Sequence, residues 1–493
     1  MLWTFAEISV IISFGTQEVF SLKATKIFAL LFALISVILL CACSQIEEEE
    51  TDYTATESDT SYLSHIEIED MNGYSFRILT RPGESWVVDQ VVEEETGDII
   101  NDAVYRRNET VKALFNIDIT AIESSTDSSA DALNNILAGD DEYDVIFPHA
   151  RTSFTYALQN SVVNYHDVET IDLTKEWWAK DIVDSCSVNN HLYVLDGDIS
   201  TKRLYYAYTV FFNKDIFDEL GLDYPYRLVQ EGKWTFDEFA KLVKQGAKDL
   251  NGDGLMRVDD DQFGYYAIDW FGPFSVMYSG GTRIYTKNER GIPQLTLNSA
   301  KTVRIFSEFF NLVNSEDVFM RLENVRVPSS DIFRDGRAMF ADKSLGDAKH
   351  LRDMTSEFGI LPYPKFDESD SYASLIGGGS SLMVMPITVE DYNKTGKIIE
   401  ALCAIGSRDV IPAFYDVSLK TKFSRDAESE EMIDIIKDTL VYDLGYLSGG
   451  ALQSTGYDLA HRTNPDFAAY YAAFESKALS DLKNFLSTYG GVY

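Results

Sequence analysis

The sequence predicts an α/β protein that is divided into two lobes or domains. Short runs rich in Val, Ile, Tyr and Phe alternate along the chain with segments whose apolar residues recur at helical spacing, and this alternation is typical of α/β architecture. At 493 residues, the chain is longer than one hydrophobic core usually serves. Apolar residues make up 45% of it, which is ordinary for a globular protein.

Residues 1–43 have the pattern of a secretory leader. Lys23 and Lys26 precede a largely apolar run over 27–40, and a basic segment before an apolar stretch of this length predicts export. The run ends in Leu40-Cys41-Ala42-Cys43, which resembles the bacterial lipobox. We therefore predict that Cys43 is diacylated and anchors the protein to the extracellular face of a bacterial cell membrane. An uncleaved transmembrane anchor is the alternative.

Residues 44–63 are acidic and rich in Ser and Thr, with few large apolar side chains. Such a segment cannot bury enough apolar surface to fold, so we expect a disordered tether. The folded body follows, and its first predicted elements are strands at 74–79, 117–122 and 143–147 and helices at 100–115 and 130–138.

The stretch from His191 to Phe239 predicts the order strand, crossing, strand, helix, loop, helix. Two β-type runs, at 191–195 and 204–212, flank the polar segment 196–198. Asn213 is a good N-cap for the next helix, which Gly221 ends. Thr235 caps the last helix, with Glu238 placed for a capping box. Further on, the pattern predicts a helix after Ser299, a strand at 382–386, a helix at 397–405 and a final helix at 467–486.

The order of these residues resembles the family 1 extracellular solute-binding proteins, the maltose-binding-protein-like group that feeds ABC transporters. The matching segments are Leu192-Tyr193, Phe211–Phe217, Gly221-Leu222 and Trp234–Phe239. Two later segments add to the resemblance: Phe333–Phe340 has the family's F-x-x-G-x-A-M pattern, and Phe358–Pro364 its G-x-x-P-x-P pattern. Together they cover roughly residues 66–486.

The resemblance implies a class II, periplasmic-binding-protein-like fold of two lobes with a helical C-terminal region. A solute would be held between the lobes and delivered to ABC transporter permease subunits, and we expect a monomer. The implied hinge crossings are near 196–206, 341–365 and 408–420. The implied boundaries are 64–200 and 361–412 for the first lobe, 201–360 for the second, and 413–493 for C-terminal helices packing mainly on the second lobe.

The segment from Asp249 to Asp260 has the spacing of a calcium-binding loop. Asp249, Asn251 and Asp253 occupy positions 1, 3 and 5, Gly254 provides the turn at position 6, Leu255 offers a carbonyl at position 7 and Asp260 stands at position 12. Position 12 is not the usual Glu, and no exit helix follows. Structural Ca²⁺ and a plain Asx-rich turn therefore both stay open.

Charge and motifs exclude several classes of function. The 42 basic and 79 acidic residues give a net charge of −37, so nucleic acid is not an expected partner. The six His residues form no metal-binding spacing, and no G-x-S-x-G elbow is present. We expect that the protein is not an enzyme and that it has no catalytic cofactor. A glycoside-active enzyme is an alternative, because carboxylates are numerous enough for a catalytic pair, and so is a surface receptor or adhesin.

Aromatic residues are abundant, with 28 Tyr, 30 Phe and 6 Trp. Aromatic rings stack on the C–H faces of sugars, and polar side chains bind sugar hydroxyls, so we predict a carbohydrate ligand, an oligosaccharide. Peptide-, polyamine- and metal-binding proteins that share the two-lobe plan keep other solute classes open. Core packing is the competing interpretation for each ring. Candidate ligand-binding residues beside the crossings are Trp86, His149, Asp198, Tyr208, Trp270, Tyr278 and Tyr415.

Three smaller sequence features concern the ligand site and the core. Trp177-Trp178 is a further candidate pair for ligand contact. Gly377–Gly379 predicts a tight turn at the cleft or a close backbone approach to a sugar, and the run lacks a phosphate-loop pattern. Cys186 and Cys403 are expected to be buried free thiols, with a disulfide as the alternative.

Overall fold

A short parallel sheet organises the first part of the chain in the computed structural model, which describes residues 62–127, 129–415 and 427–490. Its strands are β1 (Tyr74–Thr80), β2 (Ile117–Glu123) and β3 (Val145–Ile146), in the order β2-β1-β3. Cys43 and residues 44–61 of the predicted tether lie outside the described residues.

Helix boundaries in this region follow from local chemistry. The helices are α1 (Glu84–Gln90), α2 (Ile99–Phe115), α3 (Ala130–Ala138), α4 (Ala150–Leu158) and α5 (Lys180–Cys186). The Asp98 carboxylate accepts hydrogen bonds from the first backbone N–H groups of α2, and Asn116 ends that helix in the left-handed region at φ 49°. β1, β2, α2 and α3 confirm the sequence predictions, whereas β3 is shorter than predicted.

A mixed five-stranded sheet organises the second part. Its strands are β4 (Tyr208–Asn213), β5 (Phe263–Ile268), β8 (Val318–Arg321), β9 (Ala338–Ser344) and β10 (Phe358–Leu361). Their order is β10-β4-β9-β5-β8, with β4 antiparallel to both neighbours and β5 parallel to both of its own. A separate antiparallel pair is formed by β6 (Tyr285–Lys287) and β7 (Pro293–Leu295).

The helices of the second part include the two whose caps the sequence predicted. They are α6 (Lys202–Tyr205), α7 (Lys214–Leu220), α8 (Tyr226–Gln230), α9 (Phe236–Gly246), α10 (Gly272–Ser279) and α11 (Ala300–Val313). Asn213 caps α7, and Gly221 ends it at φ 64°. The Thr235 side chain caps α9, as predicted. The predicted capping box is wrong, because the Glu238 carboxylate accepts a hydrogen bond from Lys241 at 2.6 Å instead of one from the backbone of Thr235.

The last part of the chain returns to both sheets. Its elements are β11 (Ser374–Leu375), α12 (Tyr392–Ile405), α13 (Ala427–Asp438), β12 (Leu440–Val441), α14 (Leu444–Leu447), α15 (Thr455–Ala460) and α16 (Phe467–Thr488). A π-helical turn at Gly406–Val410 follows α12, and 3₁₀ helices occur earlier in the chain at Tyr165–Asp167 and Leu345–Leu351. α16 packs against α11 and β7 and also against α4. It therefore contacts both parts of the fold.

Three predicted strands are wrong in part. Residues 191–195 form no regular strand, because the Leu192 N–H is taken by the Asn164 side chain at 2.8 Å rather than by a neighbouring strand. Residues 382–386 make only single bridges, including Val384 to Ile146, and Pro386 has no N–H to extend them. In the predicted strand 204–212, the first residues belong to α6, and β4 begins only at Tyr208.

Both thiols of the body are buried and free, which confirms the expected state of Cys186 and Cys403. Burial raises the pKa of the Cys186 thiol to about 12. Within the described residues, no helix has the length and hydropathy required to cross a bilayer.

Gly264→Ala is expected to destabilise the protein by more than about 3 kcal/mol. A Cβ at Gly264 would lie 1.8 Å from the Val243 carbonyl oxygen, so β5 and α9 would have to separate. Gly221→Ala is the control, since space around it is open and only its left-handed backbone opposes a side chain, at about 1–2 kcal/mol. Urea unfolding measures both variants, and equal losses would contradict the close approach.

Candidate functional site at the strand ends

Polar and aromatic side chains gather where the strands of both sheets end. Arg81 follows β1 directly, and His149 comes shortly after β3. In the second sheet, Trp270 follows β5 and Glu323 follows β8. In open α/β sheets, ligands bind outside the carboxyl ends of parallel strands. We call the residues at this place the cleft cluster. Its members are Arg81, Trp86, Asp127, His149, Arg151, Lys202, Tyr206, Tyr208, Asp269, Trp270, Glu323, Tyr446, Tyr457 and His461.

Three consecutive glycines pack directly against the cleft cluster. A Cβ on Gly377 would lie 2.4 Å from the Tyr208 ring, and one on Gly378 would lie 2.3 Å from Arg151 Cδ. A Cβ on Gly379 would come to 3.2 Å from the Tyr206 ring. The Gly379 carbonyl also accepts a hydrogen bond from Arg81. The backbone of this run therefore takes the place of side chains and brings residues from separate elements together.

The first aromatic group is built on Trp86. Its ring stacks on Tyr206, with the ring centroids 5.7 Å apart and the planes 8° from parallel. The Arg81 guanidinium lies 4.0 Å from the Trp86 ring, and Lys202 Nζ lies 4.9 Å from it. Asp127 accepts a hydrogen bond from Arg81 Nε at 2.7 Å. The stack is thus flanked by two cations, of which Arg81 is paired with a carboxylate.

The second aromatic group is built on Trp270. Its ring stacks on Tyr457 of α15 with centroids 4.0 Å apart, and its Nε1 donates to Glu323 at 3.0 Å. Tyr457 also contacts His461, whose Nε2 lies 2.8 Å from Asp269. The indole is therefore fixed in orientation by both a stacking partner and a hydrogen bond.

Arg151, at the start of α4, connects the first part of the chain to this second group. Its guanidinium lies 4.8 Å from the Trp270 ring and 5.3 Å from the Tyr446 ring. Nη2 donates to Ser454 Oγ at 2.7 Å, while the buried Nε has no partner among the described residues. Arg151 therefore links α4 to three segments that come much later in the chain.

The cluster also contains two groups that stay uncharged at neutral pH. Burial, and then the charge of Arg81, lowers the pKa of His149 to about 4. Its Nδ1 accepts the Arg151 backbone N–H at 3.2 Å. Burial raises the pKa of Tyr208 well above its usual range, and its ring stacks on Phe271 with centroids 4.0 Å apart.

The sequence comparison agrees with the architecture. Residues 106–288 match the family model of bacterial extracellular solute-binding proteins. The protein has the fold of a bacterial extracellular solute-binding protein. This confirms the resemblance and the two-lobe α/β fold that the sequence predicted. No curated protein matches the chain.

Three solved structures illustrate the fold match. UgpB from Mycobacterium tuberculosis in complex with glycerophosphocholine is 14% identical with a TM-score of 0.55, and the match covers 84% of this chain and 98% of that one. The GacH receptor of Streptomyces glaucescens, also solved in complex with acarbose, is 11% identical with a TM-score of 0.53, covering 82% and 99%. A Thermotoga lettingae ABC transporter solute-binding protein bound with α-D-tagatose is 14% identical with a TM-score of 0.52, covering 84% and 100%.

The predicted ligand residues fall into two groups in the structure. Trp86, His149, Tyr208 and Trp270 all lie in the cleft cluster described above. The other three pack elsewhere: Asp198 is buried against Arg203, Tyr278 is fully buried under Arg283, and the Tyr415 hydroxyl donates to Asp434. Ligand contact remains a prediction for all seven.

The sequence analysis missed several members of the cleft cluster: Arg81, Arg151, Tyr206, Tyr446 and Tyr457. The position of Arg81, directly after a predicted strand, was a usable signal, because strand ends carry ligand-binding residues in such folds. Tyr457 and Tyr446 gave no local signal. They belong to C-terminal helices that reach the cleft only through tertiary packing.

In the loop that begins at Asp249, the carboxylates accept hydrogen bonds from the backbone N–H groups of the loop itself. Asp249 accepts the N–H groups of Gly252 and Gly254 at 2.7 and 2.8 Å, and Asp253 accepts that of Leu255 at 2.9 Å. Asp261, rather than the predicted Asp260, accepts the N–H groups that close the loop. The described residues contain no group of three or more His, Cys, Asp or Glu side chains placed to hold a metal.

The Trp177-Trp178 pair is occupied by a buried carboxyl group rather than turned to the cleft cluster. Both indole N–H groups donate to Glu400 of α12, at 3.1 and 3.2 Å. His65 Nε2 lies 3.6 Å from the same carboxyl. Burial raises the pKa of Glu400 to about 8, although these donors oppose the rise. The folded protein therefore favours the protonated form.

The wild type is expected to lose stability as the pH rises, and Glu400→Gln is expected to abolish that loss. The pKa of Glu400 is raised from 4.5 to about 8 by folding. The stabilisation is therefore fully present below about pH 4.5 and is lost as the pH rises through about 8. The wild type should lose on the order of 3 kcal/mol relative to the variant between pH 5 and 8, measured by urea unfolding. Exposed Glu390→Gln should follow the wild type, and parallel curves for the Glu400 variant would contradict the raised pKa.

Proposed function

We propose that the protein captures a carbohydrate, an oligosaccharide, in the cleft cluster and delivers it to the permease subunits of an ABC importer. The observation that carries this proposal is the pair of indoles at the strand ends. Trp86 and Trp270 each present a large apolar ring that polar groups hold in place. Sugars bind such sites through C–H contacts to the rings and hydrogen bonds from their hydroxyls.

Comparisons of fold support solute capture more broadly than they support one solute. GacH is described in complex with acarbose and the Thermotoga lettingae protein with α-D-tagatose, whereas UgpB is described with glycerophosphocholine. The polar groups of the cleft cluster match hydroxyl-rich solutes. His149 is neutral at neutral pH, and since its Nδ1 accepts the Arg151 N–H, its Nε2 can exchange a hydrogen bond with a hydroxyl.

Solute binding and closure of the two lobes would be thermodynamically coupled. Residues of the first sheet and of the second sheet contribute to the same cluster, so a solute between them stabilises the closed arrangement only by its extra contacts there. Arg151 and Trp270 come from the two parts of the chain and would open and close with them. The closed form is the one that would dock on the permease.

The remaining assignments follow from export and from the absence of a recognisable catalytic motif in the sequence. We propose that the protein is held at the extracellular face of the membrane by a diacylated Cys43, acts as a monomer and is not an enzyme. Turnover of polysaccharides or aryl glycosides by the purified protein would favour the glycoside-active alternative. Solute binding without any functional coupling to a permease would favour the receptor or adhesin alternative.

Oligosaccharides are expected to stabilise and compact the purified protein. A solute at a hundred times its dissociation constant adds about 2.7 kcal/mol to the free energy of unfolding, which raises the melting temperature measurably. Small-angle scattering should show a smaller radius of gyration at saturation. Trp270→Ala should weaken binding by about tenfold or more because it removes a stacking surface. Tyr392→Ala, which removes an exposed ring on α12, should leave it unchanged. A radius that does not change at saturation would contradict closure.

We also propose that the loop from Asp249 to Asp260 holds a structural Ca²⁺. Its carboxylates accept backbone N–H groups, and Asp249 and Asp253 retain free oxygen lone pairs, the type of donor that Ca²⁺ prefers. Asp253 also pairs with Arg257, which an ion would have to displace or tolerate.

Ca²⁺ is expected to raise the melting temperature of chelator-treated protein, and Asp249→Asn should remove that rise. Asn keeps the hydrogen-bond acceptor but loses the charge that attracts the ion. Exposed Asp140→Asn controls for general charge effects. If Ca²⁺ raises the melting temperature equally in the wild type and both variants, the ion binds elsewhere. If Ca²⁺ does not raise the melting temperature of the wild type, the loop is a plain Asx-rich turn.

A further inference from the structure

Arg151 is a partly buried cation with no carboxylate partner among the described residues. Its guanidinium contacts two rings and one hydroxyl, and its Nε is buried and unpaired. The neighbouring arginines differ, since Arg81 pairs with Asp127 and Arg203 with Asp198. Enclosing a charge without a counter-charge is costly, so an unpaired cation at a binding site points to a partner supplied by the ligand.

The carboxylates of the cleft cluster do not supply that partner. Asp269 is occupied by His461 and by the Glu323 N–H, and Glu323 accepts from Trp270. His149 is neutral and adds no negative charge. The acidic groups of the cluster therefore form no ion pair with Arg151, although the whole chain carries a net charge of −37.

A second cation in the cluster is in a similar position. Lys202 Nζ donates to the Ser85 carbonyl and lies 4.9 Å from the Trp86 ring, and no ion pair is formed by it within the described chain. Burial is the main cause that lowers its pKa, the Asp89 carboxylate opposes the fall, and Arg81 adds to it. Arg151 and Lys202, which come from the two parts of the chain, thus both lack an ion-pair partner within the described chain.

The backbone is arranged to hold Arg151 in this place. Gly378 leaves the space that the Arg151 side chain occupies, since a Cβ there would lie 2.3 Å from Cδ. Ser454 then fixes one end of the guanidinium at 2.7 Å. A planar guanidinium held in this way can bind a carboxylate, phosphate or sulfate through two parallel N–H bonds.

We propose that the solute is an acidic saccharide whose anionic group binds Arg151 beside the indoles of the cleft cluster. This rests on the proposed function, since it names the class of carbohydrate that the same site would take. A neutral sugar would leave the cation uncompensated and would bind more weakly than its acidic counterpart.

Matched pairs of probes test this inference by calorimetry on the purified protein. Trigalacturonate is compared with its methyl ester, and glucose 6-phosphate with glucose, so that carboxylate and phosphate are distinguished. At least one acidic member should bind about 30-fold or more tightly than its neutral partner. Arg151→Gln should reduce that preference to within a few-fold, and Arg151→Lys should keep part of it, because the charge remains without the planar fork.

Arg304→Gln is the matched control. Arg304 also lies over an aromatic ring, 4.7 Å from Phe366, but it is exposed and paired with Asp367, so the preference should remain. Equal affinity for the acidic and neutral members, or an unchanged preference in Arg151→Gln, overturns this inference and leaves solute binding intact. If no member of either pair binds the wild type while neutral oligosaccharides do, the inference also falls. If no saccharide binds at all, the proposed function falls with it. Should Arg151→Gln fail to fold, the wild type and Arg151→Lys decide the outcome.

Discussion

The close approach of a bare backbone at Gly377–Gly379 is the constraint on which the cleft depends. Tyr208 begins a strand of the second sheet, Tyr206 follows the short helix α6, and Arg151 starts a helix after the first sheet. All three pack against a glycine: a Cβ on Gly377 or Gly378 would overlap Tyr208 or Arg151, and one on Gly379 would fit only tightly against Tyr206. The lack of side chains at these consecutive positions therefore brings together groups that come from both sheets.

Charge within the cleft differs from charge over the whole chain. The excess of acidic residues gives long-range repulsion of anions, yet Arg81, Arg151 and Lys202 concentrate positive charge beside two indoles. Short-range electrostatics in an enclosed site are stronger than at an exposed surface, because less solvent screens them. A molecule can therefore be acidic overall and still bind an anion at one enclosed place.

The sequence was informative where structure is determined locally. Asn213 and Gly221 delimit α7 through a side-chain cap and a left-handed glycine, and both are visible in the sequence. The alternation of β1, α2 and β2 likewise follows from apolar spacing. The prediction at 191–195 failed because the Leu192 N–H binds Asn164, a partner that local pattern does not reveal. For the same reason, sequence could not separate Trp270, at the cleft, from Tyr278, in the core.

The two buried thiols also have a consequence for how this fold can be observed. Cys186 and Cys403 lie in α5 and α12, and both are fully enclosed and unpaired. Assembly of the body therefore needs no oxidant and no disulfide shuffling. Each sulfur becomes reactive only when its helix detaches, since reagents require the exposed thiolate. The rate at which a thiol-specific label attaches to each position would thus time the opening of that helix separately.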